Sequence, residues 1–270
     1  MPRAGTDAVQ PAAPASPAIV ALFVSDVHLQ ADAPRTAQAF LDFLAQAGSV
    51  PQLYLLGDLF EYWAGDDDLD APFNAGVVAA LRALRDAGTA IFWIAGNRDF
   101  LISDRFAHTA GVTLLPDPSV INQAGRRVVI THGDVQCTDD VDYQAFRAQV
   151  RAPGWHQAFL AQPLSQRLAL IARMRAESRL AQRVKTTSIM DVNAAAIESL
   201  FGQSGADLMI HGHTHRPARH VHVINGTRHE RHVLPDWDCE ADHWRGGGLA
   251  LDAAGMLHEV PLRKRTAQAP

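Results

Sequence analysis

Seven side chains with oxygen or imidazole-nitrogen donors hold the same position relative to short apolar runs. Asp26 and His28 follow "AIVALFV" (18–24), Asp58 follows "QLYLL" (52–56), and Asn97 follows "AIFWIAG" (90–96). His132 closes "RRVVITHGD" (126–134), and His213 and His215 close "DLMIHGHTH" (207–215). Each run reads as a buried strand, so each donor stands just past a strand end. Carboxylate, carboxamide and imidazole without a thiolate suit Mn²⁺, Fe²⁺ or Zn²⁺. Seven donors are too many for one such ion. Two ions ~3.5–4 Å apart need a shared ligand, and a carboxylate bridges well. Asp58, in the middle of the order, is the natural bridge.

Taken singly, each donor has a plainer reading. Asp-x-His after a strand is an ordinary turn, Gly57-Asp58 is common in loops, Asn97 suits a helix cap, and His132 suits a satisfied core histidine. The repeated placement, in order and each after a strand, is what points to a metal centre. Asn97 is followed by Arg98, a cation that cannot give up its proton. An arginine there cannot protonate an alkoxide leaving group. It can compensate charge spreading over phosphoryl oxygens, with two-pronged hydrogen bonding. The plainer alternative is a surface ion pair with Asp99.

The elements that must position these groups are legible around them. Residues 35–48 and 74–88 carry apolar residues at helical spacing and stop at Gly48 and Gly88. Strand, helix, strand, helix, strand predicts an α/β fold with a largely parallel sheet, in which ligand sites gather outside the carboxyl ends of the strands. Residues 142–190 read as a helical insertion. Asn225-Gly226 between two alternating runs predicts a hairpin with a type I′ turn, and residues 246–262 a second hairpin.

Composition bounds the classes. The chain has 270 residues, 47% of them hydrophobic, which suits a domain with a sizeable core. A net charge of −5 argues against a nucleic-acid binder. Two cysteines, Cys137 and Cys239, make no disulfide framework and fit a reducing cytoplasm. Residues 1–17, rich in Ala and Pro, read as a disordered tail without the apolar core of a signal peptide, leaving a domain over 18–270. No run approaches the ~20 apolar residues that span a bilayer. The expectation is a soluble protein, or one on a membrane surface.

The blocks "DVHL", "GDLFEYW", "GNRD", "HGD" and "GHTH" resemble those of the calcineurin-like metallophosphoesterases. The resemblance implies a four-layer αββα sandwich with a dinuclear centre. One ion would take Asp26, His28, Asp58 and His215, and the other Asp58, Asn97, His132 and His213. The longer segments "GDLFEYWAGDDD", "HGDVQCTDDVDYQ", "IMDVN" and "HGHTHRPA" extend the similarity from 18 to about 237, to the branch that splits the pyrophosphate of UDP-2,3-diacylglucosamine in lipid A biosynthesis. That branch implies two Mn²⁺ ions and water attack on the uridine-side phosphorus near Asn97, Arg98 and His213. It also implies a place on the cytoplasmic face of the inner membrane as a peripheral protein, with no obligate protein partner. Another phosphoesterase, or a scaffold that binds metal without catalysis, are the rival readings. Arg98 weighs against the first and the intact donor set against the second.

Residues 142–190 carry eight basic side chains against Asp142 and Glu177. The plain reading is a solvated helix face; the functional one is an electropositive lid over an anionic diphosphate. Ser178, Gln182 and Lys185 share one helix face at i, i+4 and i+7. The resemblance implies that these three and Asp140 contact substrate. Leu164, Leu168 and Ile171 form an apolar stripe read as core packing. Phe60 and Trp63 are likewise read as core, Cys137 as a small buried thiol, and His220, His222, His229 and His232 as exposed strand residues.

Overall fold

The computed structural model describes residues 18–184, 189 and 191–262. β1 (Ile19–Val24), α1 (Pro34–Gln46), β2 (Gln52–Leu56), α2 (Pro72–Asp86), β3 (Ala90–Ile94), α3 (Asp104–Ala110) and β4 (Val112–Leu115) come first. β5 (Ser119–Gln123), β6 (Arg126–Ile130), α4 (Val141–Val150), α5 (Pro153–Leu160) and α6 (Leu164–Val184) follow. The chain continues through α7 (Ala194–Ser204), β7 (Leu208–His211), β8 (Ala218–Ile224), β9 (Thr227–Val233), β10 (Gly247–Asp252) and β11 (Leu257–Pro261).

Two sheets result, ordered β11-β10-β1-β2-β3-β4 and β5-β6-β7-β9-β8. Both are mixed, where the sequence suggested one largely parallel sheet. β1 to β4 run parallel, as do β6, β7 and β9, while hairpins add β10–β11, β5 and β8 antiparallel. The period of two along each strand sorts side chains between layers. Leu22, Val24, Leu53, Leu55 and Trp93 face α1, α2 and α3. Phe23, Tyr54, Leu56 and Ile94 face the second sheet and meet Val128, Ile130, Leu208 and Ile210. Val129 and Met209 point the other way, onto Ile197, Leu200 and Phe201 of α7. Helices, sheet, sheet and helix therefore stack as the expected αββα sandwich. No helix among the described residues is long and apolar enough to cross a membrane.

Over its described residues the insertion forms three helices, because Pro153 opens α5 and Pro163 immediately precedes α6. Phe159 lies in the helix-side core with Trp155, Leu170 and Ile171 packed against it, so Ile171 of the predicted stripe does meet core. Phe60, Trp63 and Cys137 are buried as read. Asn225 and Gly226 have φ of 50° and 78°, as a type I′ hairpin requires. His220, His222, His229 and His232 correct the expectation of exposure: all four are half-buried. His222 and His229 lie 5.9 and 4.8 Å from the Phe201 ring of α7, which covers that face of the hairpin.

Candidate metal centre

The structure brings all seven predicted donors to one place. Five of them turn the chain through left-handed backbone: Asp26 (φ 53°), His28 (54°), Asp58 (52°), His213 (66°) and His215 (54°). Such a conformation costs a non-glycine residue roughly 1–3 kcal/mol and persists where surrounding structure enforces it. Here it swings the side chains into the gap past the strand ends. Glycines make the approach feasible. A Cβ on Gly96 would stand 2.2 Å from Asp58 Oδ1, and one on Gly212 would stand 2.1 Å from Asp26 Oδ2.

The donors form two groups. Asn97 Oδ1 lies 2.9 Å from both His132 Nε2 and His213 Nδ1, and His132 Nε2 lies 3.6 Å from Asp58 Oδ1. In the other group His28 Nε2 and His215 Nε2 are 3.2 Å apart, and His215 Nε2 is 3.3 Å from Asp26 Oδ1. Ligand atoms of Asp26, Asp58 and His132 lie within 4.8 Å of one another, which places the two carboxylates where the groups meet.

These residues fit a pair of divalent cations. Asp26 is fully buried, and its Oδ2 accepts from Ser25 Oγ and the His213 N–H. Its Oδ1 makes no well-aligned hydrogen bond, with only His215 Nε2 at 3.3 Å beside it, a costly state for a buried carboxylate oxygen unless a cation answers it. The supports of the imidazoles aim lone pairs inward. His132 Nδ1 is 2.9 Å from the Leu56 carbonyl, which can only accept, so Nδ1 carries the proton and Nε2 presents its lone pair. His28 Nδ1 lies 2.9 Å from Glu61 Oε2, an ion-pair contact off the line of a hydrogen bond, and its Nε2 faces His215.

The ion-free electrostatics show how strongly the cluster is coupled. Burial opposes charge on His132, but Asp58 and Asp26 outweigh it and raise its pKa to about 9, so Nε2 becomes free for a cation only when that cation displaces its proton. Burial, with His132 alongside, lowers His213 to about 4 and keeps that imidazole neutral. Burial would raise Glu61, but the contacts with His28 and Arg98 bring it down to about 2. Burial and then Asp58 raise Asp99 to about 6. Burial, with Asp134 and Asp191 nearby, lifts the Cys137 thiol to about 12, which leaves it inert.

Three acids inside the motifs were not singled out from sequence. Asp99 Oδ1 accepts from the Gly96 N–H at 2.7 Å and Oδ2 from the Leu59 N–H at 2.9 Å, which ties the loop of Asp58 to that of Asn97. It does not pair with Arg98. Asp134 Oδ2 accepts from Tyr143 Oη and Arg147 Nε, both at 2.7 Å. Glu61 is the third. The Arg98 guanidinium is 3.9 Å from Asp58 Oδ2 and 3.6 Å from Glu61 Oε1, near both carboxylates and within hydrogen-bond distance of neither. Their membership in the same short blocks was the only sequence signal for these acids.

The insertion is tied to the same loops. Arg147 and Arg151 face Asp134, and Arg151 also donates to the Gly96 carbonyl. Arg167, 1% exposed, pairs with Asp67 and donates to the Ala64 carbonyl. Arg175 pairs with Glu61. Four of the eight basic residues are thus held: Arg147 and Arg151 by the buried Asp134, Arg175 by Glu61, and Arg167 by the Ala64 carbonyl and the exposed Asp67. Asp140 is buried and caps α4, accepting from the Tyr143 N–H at 3.1 Å. The side chains of Ser178 and Gln182, on α6, and all of Lys185 lie outside the described residues. "CTDD", "IMDVN" and "HTHR" meet: Asn193 donates to Asp139 and caps α7, and Arg216 pairs with Asp191.

The family model for calcineurin-like phosphoesterases matches residues 19–217. A protein of Aromatoleum aromaticum is 50% identical over 231 residues, 84% of this chain and 94% of its own length. One of Cellvibrio japonicus is 47% identical over 236 residues, covering 87% and 96% respectively. One of Escherichia coli is 47% identical over 238 residues, covering 88% and 98%. All three bear the name UDP-2,3-diacylglucosamine hydrolase.

Proposed function

The chain belongs to the calcineurin-like phosphoesterases, in the branch of the UDP-2,3-diacylglucosamine hydrolases, and from that premise we propose that it splits the pyrophosphate bond of UDP-2,3-diacylglucosamine into UMP and 2,3-diacylglucosamine 1-phosphate, in lipid A biosynthesis. The observation that carries this reading is the pairing of seven convergent donors with a guanidinium left short of full pairing at their edge. Asp26, His28, Asp58 and His215 would hold one Mn²⁺, and Asp58, Asn97, His132 and His213 the other, with Asp58 between them. When bound, the ions would neutralise phosphoryl charge and acidify the attacking water.

The chain's own groups do the rest. Arg98 has donors to spare for a phosphoryl oxygen. The leaving group is a phosphate, stable as an anion, so the site needs no general acid there. Asn97 brings an uncharged oxygen and leaves the cation beside it more strongly polarising. His213, neutral by burial, keeps one ring nitrogen unprotonated. The sugar and its acyl chains would extend under the insertion, toward Ser178, Gln182 and Lys185. A place on the cytoplasmic face of the inner membrane belongs to the same proposal, since the substrate carries two acyl chains.

Turnover in water labelled with heavy oxygen tests the placement. The label is expected in UMP, with the lipid phosphate unlabelled; label in the lipid phosphate reverses the orientation of the substrate. A separate variant tests Asp140. If it contacts substrate as well as capping α4, Asp140→Ala raises KM in addition to the ~1 kcal/mol loss of stability expected for a lost cap. A lower melting temperature with unchanged KM reduces Asp140 to a cap.

A further inference from the structure

Glu61 has contacts to three functional parts of the molecule. The loop after β2 pairs with the loop after β1: Leu29 N–H donates to the Leu59 carbonyl at 2.8 Å and Glu61 N–H to the Leu29 carbonyl at 3.0 Å. That backbone pairing carries the Glu61 side chain, 14% exposed, alongside His28. Its two oxygens are then divided. Oε2 lies 2.9 Å from His28 Nδ1, and Oε1 meets both Arg175 of α6, in direct hydrogen-bond contact, and Arg98 at 3.6 Å. The Arg175 guanidinium also lies over the Tyr62 ring, 5.5 Å from its centre.

We infer that Glu61 is the positioning residue through which the insertion controls the metal centre, with Arg175 as its partner on the insertion. The inference rests on the proposed dinuclear hydrolase. A carboxylate at Nδ1 fixes the ring plane of a metal-ligating histidine and strengthens its Nε2 lone pair. The second oxygen sets where Arg98 stands. Arg98 and Arg175 share Oε1, and Arg175 has the closer contact. While Arg175 occupies that oxygen, Arg98 stays beyond hydrogen-bond distance and keeps its donors for an anion. With Arg175 gone, Oε1 becomes a strong charge-assisted acceptor for Arg98, only 3.6 Å away. The guanidinium is then drawn from the phosphoryl position onto Glu61. Seating of α6 thereby governs whether Arg98 is available, although Arg175 touches none of the seven donors.

Calorimetric titration of the metal-free full chain with Mn²⁺, paired with steady-state kinetics, tests this. Wild type binding two ions and releasing UMP checks the proposed function on its own; the variants, compared with wild type, check Glu61. Glu61→Gln should weaken Mn²⁺ binding at one site by about 10–100-fold and lower kcat/KM. Arg175→Met keeps the apolar stem over Tyr62 and removes the charge. It should leave Mn²⁺ binding near wild type and lower kcat by about tenfold, a fraction of the ~10²–10³ expected for losing Arg98 outright. Arg175→Lys should recover part of that loss. In the Glu61→Gln background, Arg175→Met should add no further loss, since its effect runs through Glu61. Wild-type Mn²⁺ affinity in Glu61→Gln overturns the inference, as does the same factor for Arg175→Met in both backgrounds. Should Glu61→Gln not fold, the Arg175 pair decides alone: recovery by Lys supports the role, and a Lys variant no better than Met refutes it.

Discussion

Asp58→Asn is expected to lower turnover by orders of magnitude and to lose at least one of the two ions, measured by metal content after gel filtration. Asp58 is 2% exposed, and its Oδ1 accepts from the Arg98 N–H at 2.8 Å. An asparagine oxygen can keep that bond, so the loop retains its shape and the change removes a charge. The charge lies where the two donor groups meet, so both cations lose its attraction. Even supporting residues outside the ligand set of a metal site cost 10–100-fold in affinity or activity, and a shared carboxylate exceeds that. Wild-type turnover in Asp58→Asn with two ions retained removes Asp58 from the bridging position.

The second large effect separates charge compensation from proton donation. Arg98→Ala should keep both ions, because Arg98 donates no ligand atom, and lower kcat by roughly 10²–10³, the usual size for losing one preorganised donor. The loop around it is held by other contacts, with Asp99 on the Gly96 and Leu59 N–H groups and Arg151 on the Gly96 carbonyl. The variant thus tests the guanidinium and not the fold of the loop. Arg98→His should restore little, since a phosphate leaving group needs no proton. A fully active histidine variant overturns this account of Arg98.

What was legible without coordinates was local. Apolar runs with β-branched residues mark strands because burial selects them, and a period of two or of 3.6 reports which faces are buried. Donor type restricts the metal, since coordination chemistry depends on the atom and not on its route through the fold. From these came the α/β class, the hairpin at Asn225-Gly226 and all seven donors that the structure gathers; the αββα layering was implied only by the resemblance of the motif blocks to a known family. The tertiary structure supplied the pairings between distant residues. Nothing in "GDLFE" ranks Glu61 above the other acids nearby; it is distinguished by His28 and by Arg175, 114 positions away. Asp99 adjoins Arg98 and yet binds the Leu59 N–H, 40 positions back, because two parallel strands end side by side there. The basic run of the insertion looked like one surface, but side chains of one helix reach different depths, and Arg147, Arg151, Arg167 and Arg175 end on acids or carbonyls. Composition and period are properties of a segment. Which carboxylate meets which guanidinium depends on how loops close between sheets, and that is set only when the layers pack.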